Sequence, residues 1–208
     1  MSINTLSREI EKLRKTQLAA RIEGRLSEFK RMGEKGNDEW FCELCFCILT
    51  ANSKAKTALC IQEELGHRGF LNKRQGDLAR TIRRNKHRFH NTKAGYIVSA
   101  RKHSQIKDVI REEKDPRRWL VKNVKGLGWK EASHFLRNVG YLDYAIIDRH
   151  VISILHQQGI IRGRPKTLNM KTYLATESRL GEIAKHLGMS QGELDLYLWY
   201  MKTGEVLK

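Results

Sequence analysis

Residues 124–132 have the sequence VKGLGWKEA, in which Gly126 and Gly128 are separated by one apolar residue. Helical patterns precede this segment over residues 117–124 and follow it over residues 131–139. Two glycines at this spacing let the chain turn tightly, because glycine adopts backbone angles that other residues resist. Such a turn leaves backbone N–H groups free at the start of the second helix, where they suit an anion such as a DNA phosphate. The segment predicts two helices joined by an anion-binding turn, with an ordinary glycine-rich turn as the alternative.

The rest of the chain is dominated by helical periodicity, and alternating strand patterns are scarce. Residues 6–29 predict one long amphipathic helix or two short ones, and residues 40–50 are apolar almost all round, as in a buried helix. Residues 91–112 predict a further helix with a break near His103. The segment from Ala145 to Leu155 fits either a strand or a helix. We therefore predict an all-α fold.

Helix ends can also be assigned from capping residues. Ser53 is placed to cap a helix that runs to Leu65 and ends at Gly66. Asp115, followed by a proline, opens another helix. Ser190 has the spacing of a capping box, with a glutamate three residues later and an apolar run after it.

The charge balance points to a polyanionic partner. Lys and Arg total 40 against 23 acidic residues, which gives a net charge of +17. Unpaired charges are rarely buried, so this excess lies on the surface and attracts nucleic acid above all. A ribosome-associated protein or a basic protein without such a role is the alternative. The sequence has no apolar stretch long enough to span a bilayer and no signal-peptide core, so we expect a cytoplasmic protein.

The four cysteines, Cys42, Cys45, Cys47 and Cys60, lie in one short region. Cys42 and Cys45 form a CxxC pair, a spacing used by metal and redox sites. Nearly every neighbour in WFCELCFCILT is apolar, however, and buried cysteines pack as small hydrophobic residues. We therefore expect core packing and no metal, since no other His or Cys cluster completes a site.

The hairpin VKGLGWKEA resembles that of the helix-hairpin-helix DNA glycosylase superfamily. In that superfamily an apolar residue, a glycine-apolar-glycine turn and a lysine recur together, and the lysine is the nucleophile of the lyase-competent members. An aspartate follows that lysine, and here Asp148 in AIIDRHV follows Lys130 at the matching spacing. Lys125 stands where many such hairpins have proline, which adds a charge for phosphate binding. The resemblance implies two helical lobes with a catalytic cleft between them.

Further segments narrow the resemblance to one family. Other superfamily members carry four C-terminal cysteines that bind an iron–sulfur cluster, whereas no cysteine follows Cys60. The chain also lacks the length for the N-terminal β-domain of the eukaryotic-type 8-oxoguanine enzymes. The segments ILTANSKA, RFHNTKAGYIVSAR, LGWKEASHFLRNVGY and AIIDRHV are similar to the archaeal-type 8-oxoguanine DNA glycosylase/lyase family, within residues 40–208. This resemblance implies excision of 8-oxoguanine from double-stranded DNA without a cofactor.

The resemblance assigns the chemistry to Lys130 and Asp148. The lysine amine would attack the sugar C1′ carbon, displace the damaged base and form a Schiff base, and β-elimination would then nick the strand. An amine attacks only when it is neutral, and a basic, partly desolvated cleft favours that form. Asp148 could stabilise the positive charge that develops on the sugar, or position the amine. Its place before a helix also suits an N-cap, and the two roles are compatible.

Phe89, Trp199 and Lys208 are the candidates for the pocket of the extruded base. A flipped base is held by stacking and by polar contacts to its edge. Phe89 and Trp199 could stack on it from either side, with core packing as the alternative for each. Lys208 resembles the terminal lysine that the family uses to tell 8-oxoguanine from guanine. An acceptor there for the N7–H would reject guanine, whose lone pair would face it; a solvated chain end is the alternative.

Five residues are predicted to contact DNA outside that pocket. The first follows the buried helix and resembles a residue that fills the gap in the base stack or contacts the orphaned partner base, with capping of the next helix as the alternative. Three lie in the hairpin. The last follows the catalytic aspartate and faces the DNA backbone. They are Asn52, Lys125, Gly126, Gly128 and Arg149.

We predict a monomer with one lobe formed by residues 1–34 and 141–208 and another formed by residues 35–140, which ends in the helix-hairpin-helix at about residues 117–139. Three rival hypotheses remain. The same scaffold could act on oxidised pyrimidines, the chain could be a non-catalytic helix-hairpin-helix module that only grips DNA, or it could be a basic RNA-binding protein. A non-catalytic module has no need of Lys130 paired with Asp148, and this pair is what separates it from an enzyme.

Overall fold

The computed structural model describes residues 3–165 and 167–208, which contain twelve α-helices and no β-strand. The all-α prediction is therefore confirmed. The chain divides into two compact units, of which unit 1 is Met1–Lys30 with Gly140–Lys208 and unit 2 is Arg31–Val139. In the described residues, no helix is both long enough and apolar enough to cross a bilayer.

The helices are numbered in chain order. They are α1 (Ile3–Arg14), α2 (Leu18–Glu34), α3 (Asn37–Thr50), α4 (Ala55–Asn72), α5 (Gln75–Arg84), α6 (His90–Ala100), α7 (Ile106–Glu112), α8 (Pro116–Asn123), α9 (Trp129–Asn138), α10 (Arg149–Gln157), α11 (Met170–His186) and α12 (Gln191–Thr203). A 3-10 turn, Arg101–His103, separates α6 from α7 and confirms the predicted break. The opening segment forms two helices rather than one long one.

Unit 2 is built around α3, which is buried on nearly all sides and packs against α4, α6, α7 and α9. Trp40 meets Phe135 edge to face, with their ring centroids 5.9 Å apart. Burying side chains of this size contributes about 1.5–3 kcal/mol each. The buried carboxylate of Glu43 accepts hydrogen bonds from Asn138 Nδ2 at 2.6 Å and from Gln62 Nε2 at 3.2 Å. These bonds satisfy the polar group that α3 carries into the core.

The cysteines follow the packing prediction in part. Cys45 and Cys47 are fully buried and Cys42 is half-buried, whereas Cys60 on α4 is exposed. Burial raises the pKa of Cys45 well above its ordinary value, so its thiol stays protonated and packs as an apolar group. Among the described residues, no group of three or more His, Cys, Asp and Glu is placed to hold a metal ion.

The predicted start of α4 was wrong, whereas its predicted end at Gly66 is confirmed as a break in the helical backbone. The residue before the helix is Lys54 rather than Ser53, and no side chain caps this end. Gly66, with φ 54° and ψ −178°, ends the first helical segment, and a second helical segment follows this kink to Asn72. Gly69 and Phe70 are both buried in that second segment.

Unit 1 joins α1 and α2 with the three C-terminal helices. The Ser190 hydroxyl accepts a hydrogen bond from the backbone N–H of Glu193 at 3.1 Å, which confirms the predicted cap of α12. Residues 145–147 belong to no helix or strand, and the chain becomes helical only from Arg149. The Tyr173 hydroxyl holds this segment, donating to the Ala145 carbonyl at 2.7 Å and accepting from the Ile147 N–H at 3.1 Å. The ambiguous segment is thus irregular up to Asp148 and helical from Arg149.

Candidate active site

The hairpin in unit 2 has the geometry that its glycines predict. Asp115 caps α8 by accepting from the Arg118 N–H at 3.0 Å, which confirms the predicted start of this helix. The turn after α8 is closed by a hydrogen bond from the Leu127 N–H to the Val124 carbonyl at 3.3 Å. Beyond it, the first N–H groups of α9 have no acceptor within their own helix. The two helices and their connecting turn therefore present backbone donors at the start of α9.

Gly126 cannot be replaced without strain. Its φ of +91° lies in the left-handed region, and a Cβ added there would lie 2.4 Å from Cδ2 of Tyr96 on α6. The hairpin therefore rests directly on an aromatic ring, with no room for a side chain between them. This contact ties the position of the turn to α6 as well as to its own two helices.

Lys130 is the second residue of α9, and its amine is partly open. The side chain is 26% exposed, and its Nζ lies 3.9 Å from Oε1 of Glu131. The other carboxylate oxygen of Glu131 accepts from the backbone N–H of Gly128 at 3.2 Å, as a helix-capping glutamate does. Glu131 thereby links the hairpin backbone to the lysine that precedes it.

A second lysine, Lys93 on α6, interacts electrostatically with Lys130 and Glu131. Lys93 is 4% exposed, and its Nζ donates to the carbonyl of Ile48, near the C-terminal end of α3, at 2.6 Å. Burial lowers the pKa of Lys93 to about 8; the charge of Glu131 opposes this change and the charge of Lys130 adds to it. The region around the hairpin therefore contains two amines with different surroundings, one buried and one partly exposed.

Asp148, in unit 1, is the N-cap of α10. A single carboxylate oxygen, Oδ1, accepts from the backbone N–H groups of His150 at 2.8 Å and Val151 at 2.9 Å. Neither of these bonds uses Oδ2. Arg149 is exposed, and its Nε lies 3.4 Å from Nε2 of His150. The capping role that the sequence suggests for Asp148 is present, and half of the carboxylate is not committed to it.

Trp199 on α12 lies close to this cap. Its ring meets the ring of His150 edge to face, with the centroids 5.7 Å apart and the planes at 87°. Among the described residues its buried indole N–H has no hydrogen-bond acceptor. Unit 1 therefore brings a base-pocket candidate together with the segment that carries Asp148 and Arg149. Lys208, the third pocket candidate, is half-buried.

Asn52 and Phe89 are the predicted contact residues of unit 2 outside the hairpin. Asn52 follows α3 in a left-handed conformation, with φ 60°, and is exposed. Phe89 is the residue before α6 and is 38% exposed, one of few large apolar side chains in the described residues that remain so accessible. The guanidinium of Arg88 lies 4.5 Å from the centroid of its ring. Core packing, the alternative for Phe89, does not account for this exposure.

Residues 22–189 match the family model described as 8-oxoguanine DNA glycosylase. The chain belongs to this family. Members similar to it include the 8-oxoguanine DNA glycosylase/AP lyase of Methanocaldococcus jannaschii, 47% identical over 98% of this chain and 99% of that protein. The protein of the same name from Korarchaeum cryptofilum is 45% identical over the full length of both chains.

Solved structures of glycosylases lead to the same family. The Methanocaldococcus jannaschii 8-oxoguanine glycosylase/lyase, in complex with 15mer DNA containing 8-oxoguanine, superposes with a TM-score of 0.96 at 45% identity, covering 98% of this chain and all of that one. The 8-oxoguanine DNA glycosylase of Thermotoga maritima gives a TM-score of 0.94 at 40% identity over the full length of both. The resemblance seen in the sequence is therefore confirmed at the level of family and fold.

Three residues of unit 2 that interact with predicted site residues were not anticipated from the sequence: Lys93, Glu131 and His87. Glu131 could have been found, because it lies three residues after Gly128 and so has the spacing of a capping glutamate. Lys93 lies on the same helical face as the buried Ile97, and a lysine on such a stripe signals a buried charge. His87 lies in a loop, and nothing in the local pattern marks it.

Proposed function

We propose that this protein removes 8-oxoguanine from double-stranded DNA and cleaves the strand at the resulting abasic site, with Lys130 as the nucleophile. The observation that carries the proposal is the placement of Lys130 immediately after the glycine hairpin, with a partly exposed amine 3.9 Å from Glu131. A non-catalytic hairpin that only binds phosphate has no need of Lys130 paired with Asp148 at the spacing seen in the sequence. The relatives named above bear the same two activities in their names.

The chemistry needs one amine and one carboxylate. The Nζ lone pair of Lys130 forms a bond to the sugar C1′, and the glycosidic bond to the base breaks with its electron pair leaving on the base. One proton of Nζ moves to O4′ as the C1′–O4′ bond breaks, which opens the sugar ring and leaves a protonated imine between Nζ and C1′. Loss of a proton from C2′ then expels the 3′ phosphate, which nicks the strand. Each step conserves charge and needs no redox cofactor.

Asp148 is the carboxylate that we assign to the charged sugar. Its Oδ1 is held by two backbone donors at the start of α10, which fixes the orientation of the group. Fixed charges of this kind stabilise a developing cation without reorganising during the reaction. The cap and the electrostatic role use different oxygens, so they do not compete.

The predicted DNA contacts divide into backbone binding and base recognition. The first backbone N–H groups of α9, with Lys125 and Gly126, suit one phosphate, and the exposed Arg149 suits another. Gly128, whose N–H donates to Glu131, would contact the same phosphate through its close backbone approach. Asn52 would fill the gap that the extruded base leaves. With a net charge of +17, affinity for any duplex is expected to fall steeply with salt. We propose a monomer that acts on chromosomal DNA.

Phe89, Trp199 and Lys208 are proposed to hold the flipped base. Phe89 has the exposure that stacking requires, and Trp199 presents an aromatic face with an indole N–H that has no acceptor among the described residues. Lys208 would supply an acceptor for the N7–H of 8-oxoguanine. Deleting Lys208 should therefore reduce the preference for 8-oxoguanine over guanine, and an unchanged ratio would show that Lys208 does not line the pocket.

The experiment that tests this function compares four duplexes of one sequence, containing 8-oxoguanine, guanine, an oxidised pyrimidine or an abasic site. We expect base release and nicking with 8-oxoguanine, nicking of the abasic duplex, and no reaction of the guanine duplex. Preference for the oxidised pyrimidine would be consistent with the lysine mechanism but would contradict the assignment of the base pocket to 8-oxoguanine. Tight binding without cleavage of any duplex would favour the non-catalytic module.

A further inference from the structure

The loop between α5 and α6 carries a histidine that is almost completely buried. His87 is 2% exposed, although it lies in a loop whose neighbours Lys86 and Arg88 are both exposed. Lys86 adopts a left-handed φ of 60°, which turns the chain at this point. The backbone N–H of His87 then donates to the carbonyl of Ile82 at 3.2 Å. The loop is built so that the imidazole points into unit 2.

The imidazole joins two separate elements through its two nitrogens. Nε2 lies 2.9 Å from the carbonyl oxygen of Leu49, in the last turn of α3. Nδ1 accepts a hydrogen bond from the backbone N–H of Phe89 at 3.2 Å. A carbonyl oxygen can only accept and a backbone N–H can only donate, so Nε2 carries the proton and Nδ1 is bare. Only the neutral ring, in this one tautomer, makes both bonds.

The surroundings of His87 favour that neutral state. Burial lowers the pKa of His87 below its ordinary value, while the bond to the Leu49 carbonyl works in the opposite direction. The charges of Lys93, His90 and Arg88 lower the pKa further. At physiological pH the ring is therefore a hydrogen-bond acceptor at Nδ1, as its geometry requires.

The two bonds of His87 involve one predicted DNA-contacting residue directly and lie close in sequence to another. The backbone N–H of Phe89 donates directly to the imidazole, and the Phe89 ring lies edge to face with that of His87, with centroids 6.5 Å apart. Asn52 follows Leu49 by three residues, just after α3 ends at Thr50. The imidazole thus connects the base-stacking candidate to the segment that carries the gap-filling candidate.

We propose that His87 is a positioning residue for base excision, whose two hydrogen bonds hold Phe89 and the end of α3 in the arrangement that receives an extruded base. The inference rests on the proposed function, and it separates the two reactions of that function, base excision and cleavage at an abasic site. Extrusion and stacking of the base are needed for excision, whereas cleavage of a duplex that already contains an abasic site has no base to hold. Loss of His87 should therefore slow the first reaction and leave the second.

Two single substitutions separate the two bonds. His87→Gln keeps an amide donor that reaches toward the Leu49 carbonyl but has no acceptor at the position of Nδ1, which the Phe89 N–H requires. His87→Asn keeps an acceptor for the N–H two residues ahead, as asparagine does in turns, but loses the donor to Leu49. His87→Leu removes both bonds. His186→Asn, at an exposed position on α11, is the matched control.

The measurements are single-turnover rates of 8-oxoguanine release and of abasic-duplex cleavage, at saturating enzyme, with thermal unfolding of each variant alongside. We expect His87→Leu to lower the excision rate by about tenfold or more, His87→Gln by a similar factor and His87→Asn by less, from the loss of one or two buried bonds. Cleavage of the abasic duplex should stay within about twofold of wild type, as in the control.

Equal losses in both reactions, or unchanged excision in all three variants, would overturn the proposal. If His87→Leu does not fold, the Gln and Asn variants carry the test, since each keeps one bond. Failure of wild-type protein to release 8-oxoguanine would instead refute the proposed function, and that result is read from the wild-type protein alone.

Discussion

The buried amine of Lys93 is predicted to lower the stability of the protein at neutral pH. Its pKa falls from the ordinary 10.5 to about 8 in the folded chain, chiefly because it is buried. At about 1.36 kcal/mol per pH unit, this lowering corresponds to about 3 kcal/mol. Between about pH 8 and 10.5 the unfolded chain keeps the proton that the folded chain has released, so the free energy of unfolding rises with pH in that window.

Lys93→Met removes the titrating group and keeps an unbranched side chain of similar length. The substitution also leaves the Ile48 carbonyl without its donor, which costs about 1–3 kcal/mol at any pH. At pH 7 the two effects oppose each other, and the variant should be between unchanged and about 2 kcal/mol more stable than wild type. The pH dependence of this stability difference tests the lowered pKa of Lys93 more directly than its value at pH 7. The stability of the variant relative to wild type should fall by about 2.5 kcal/mol from pH 7 to pH 10.

Chemical unfolding followed by circular dichroism at several pH values between 7 and 10 measures this difference. Lys122→Met, at an exposed position on α8, is the control and should run parallel to wild type throughout. Curves for Lys93→Met that also run parallel to wild type would show that the amine does not change its pKa on folding. A relative stability that rose with pH would give the opposite sign and would refute the burial argument.

Three further changes test the hairpin and the cap. Gly126→Ala should destabilise unit 2 by about 1–3 kcal/mol and weaken duplex binding, because Gly126 has a left-handed φ and lies against the Tyr96 ring. Gly24→Ala, which adds its methyl group in open space, is the control and should not destabilise the protein. Equal unfolding midpoints for the two variants would refute the contact with Tyr96. Asp148→Asn keeps an acceptor for the α10 cap, so turnover should fall at least about 100-fold with little loss of stability, whereas full activity would make Asp148 only a cap. Lys125→Gln should weaken binding to all duplexes and reduce the slope of log affinity against log salt by about one, and an unchanged slope would place it away from phosphate.

The features that were predictable from the sequence are those determined by residues close together in the chain. A left-handed φ at Gly126 and the caps at Asp115 and Ser190 depend on local chemistry, and each is found where the pattern predicts it. The break before α7 is of the same kind. Residue type and spacing are enough to specify these features, because their hydrogen-bond partners lie within one turn of chain.

What the sequence could not predict depends on partners far along the chain. The Lys93 amine donates to a backbone carbonyl 45 residues earlier in the chain, and the His87 imidazole bonds to one 38 residues earlier. The helical segment between Gly66 and Asn72, which the sequence does not predict, buries Phe70. In each case tertiary packing decides the outcome, and local propensity does not contain that information.

The assignment of Lys130 as the nucleophile is tested most directly by borohydride trapping on a duplex with one 8-oxoguanine. Wild-type protein should form a covalent adduct, and peptide mapping should place it on Lys130. Lys130→Gln should form none while still binding the duplex. Trapping of Lys130→Gln at the wild-type level, with the adduct on another amine such as Lys93, would contradict the account.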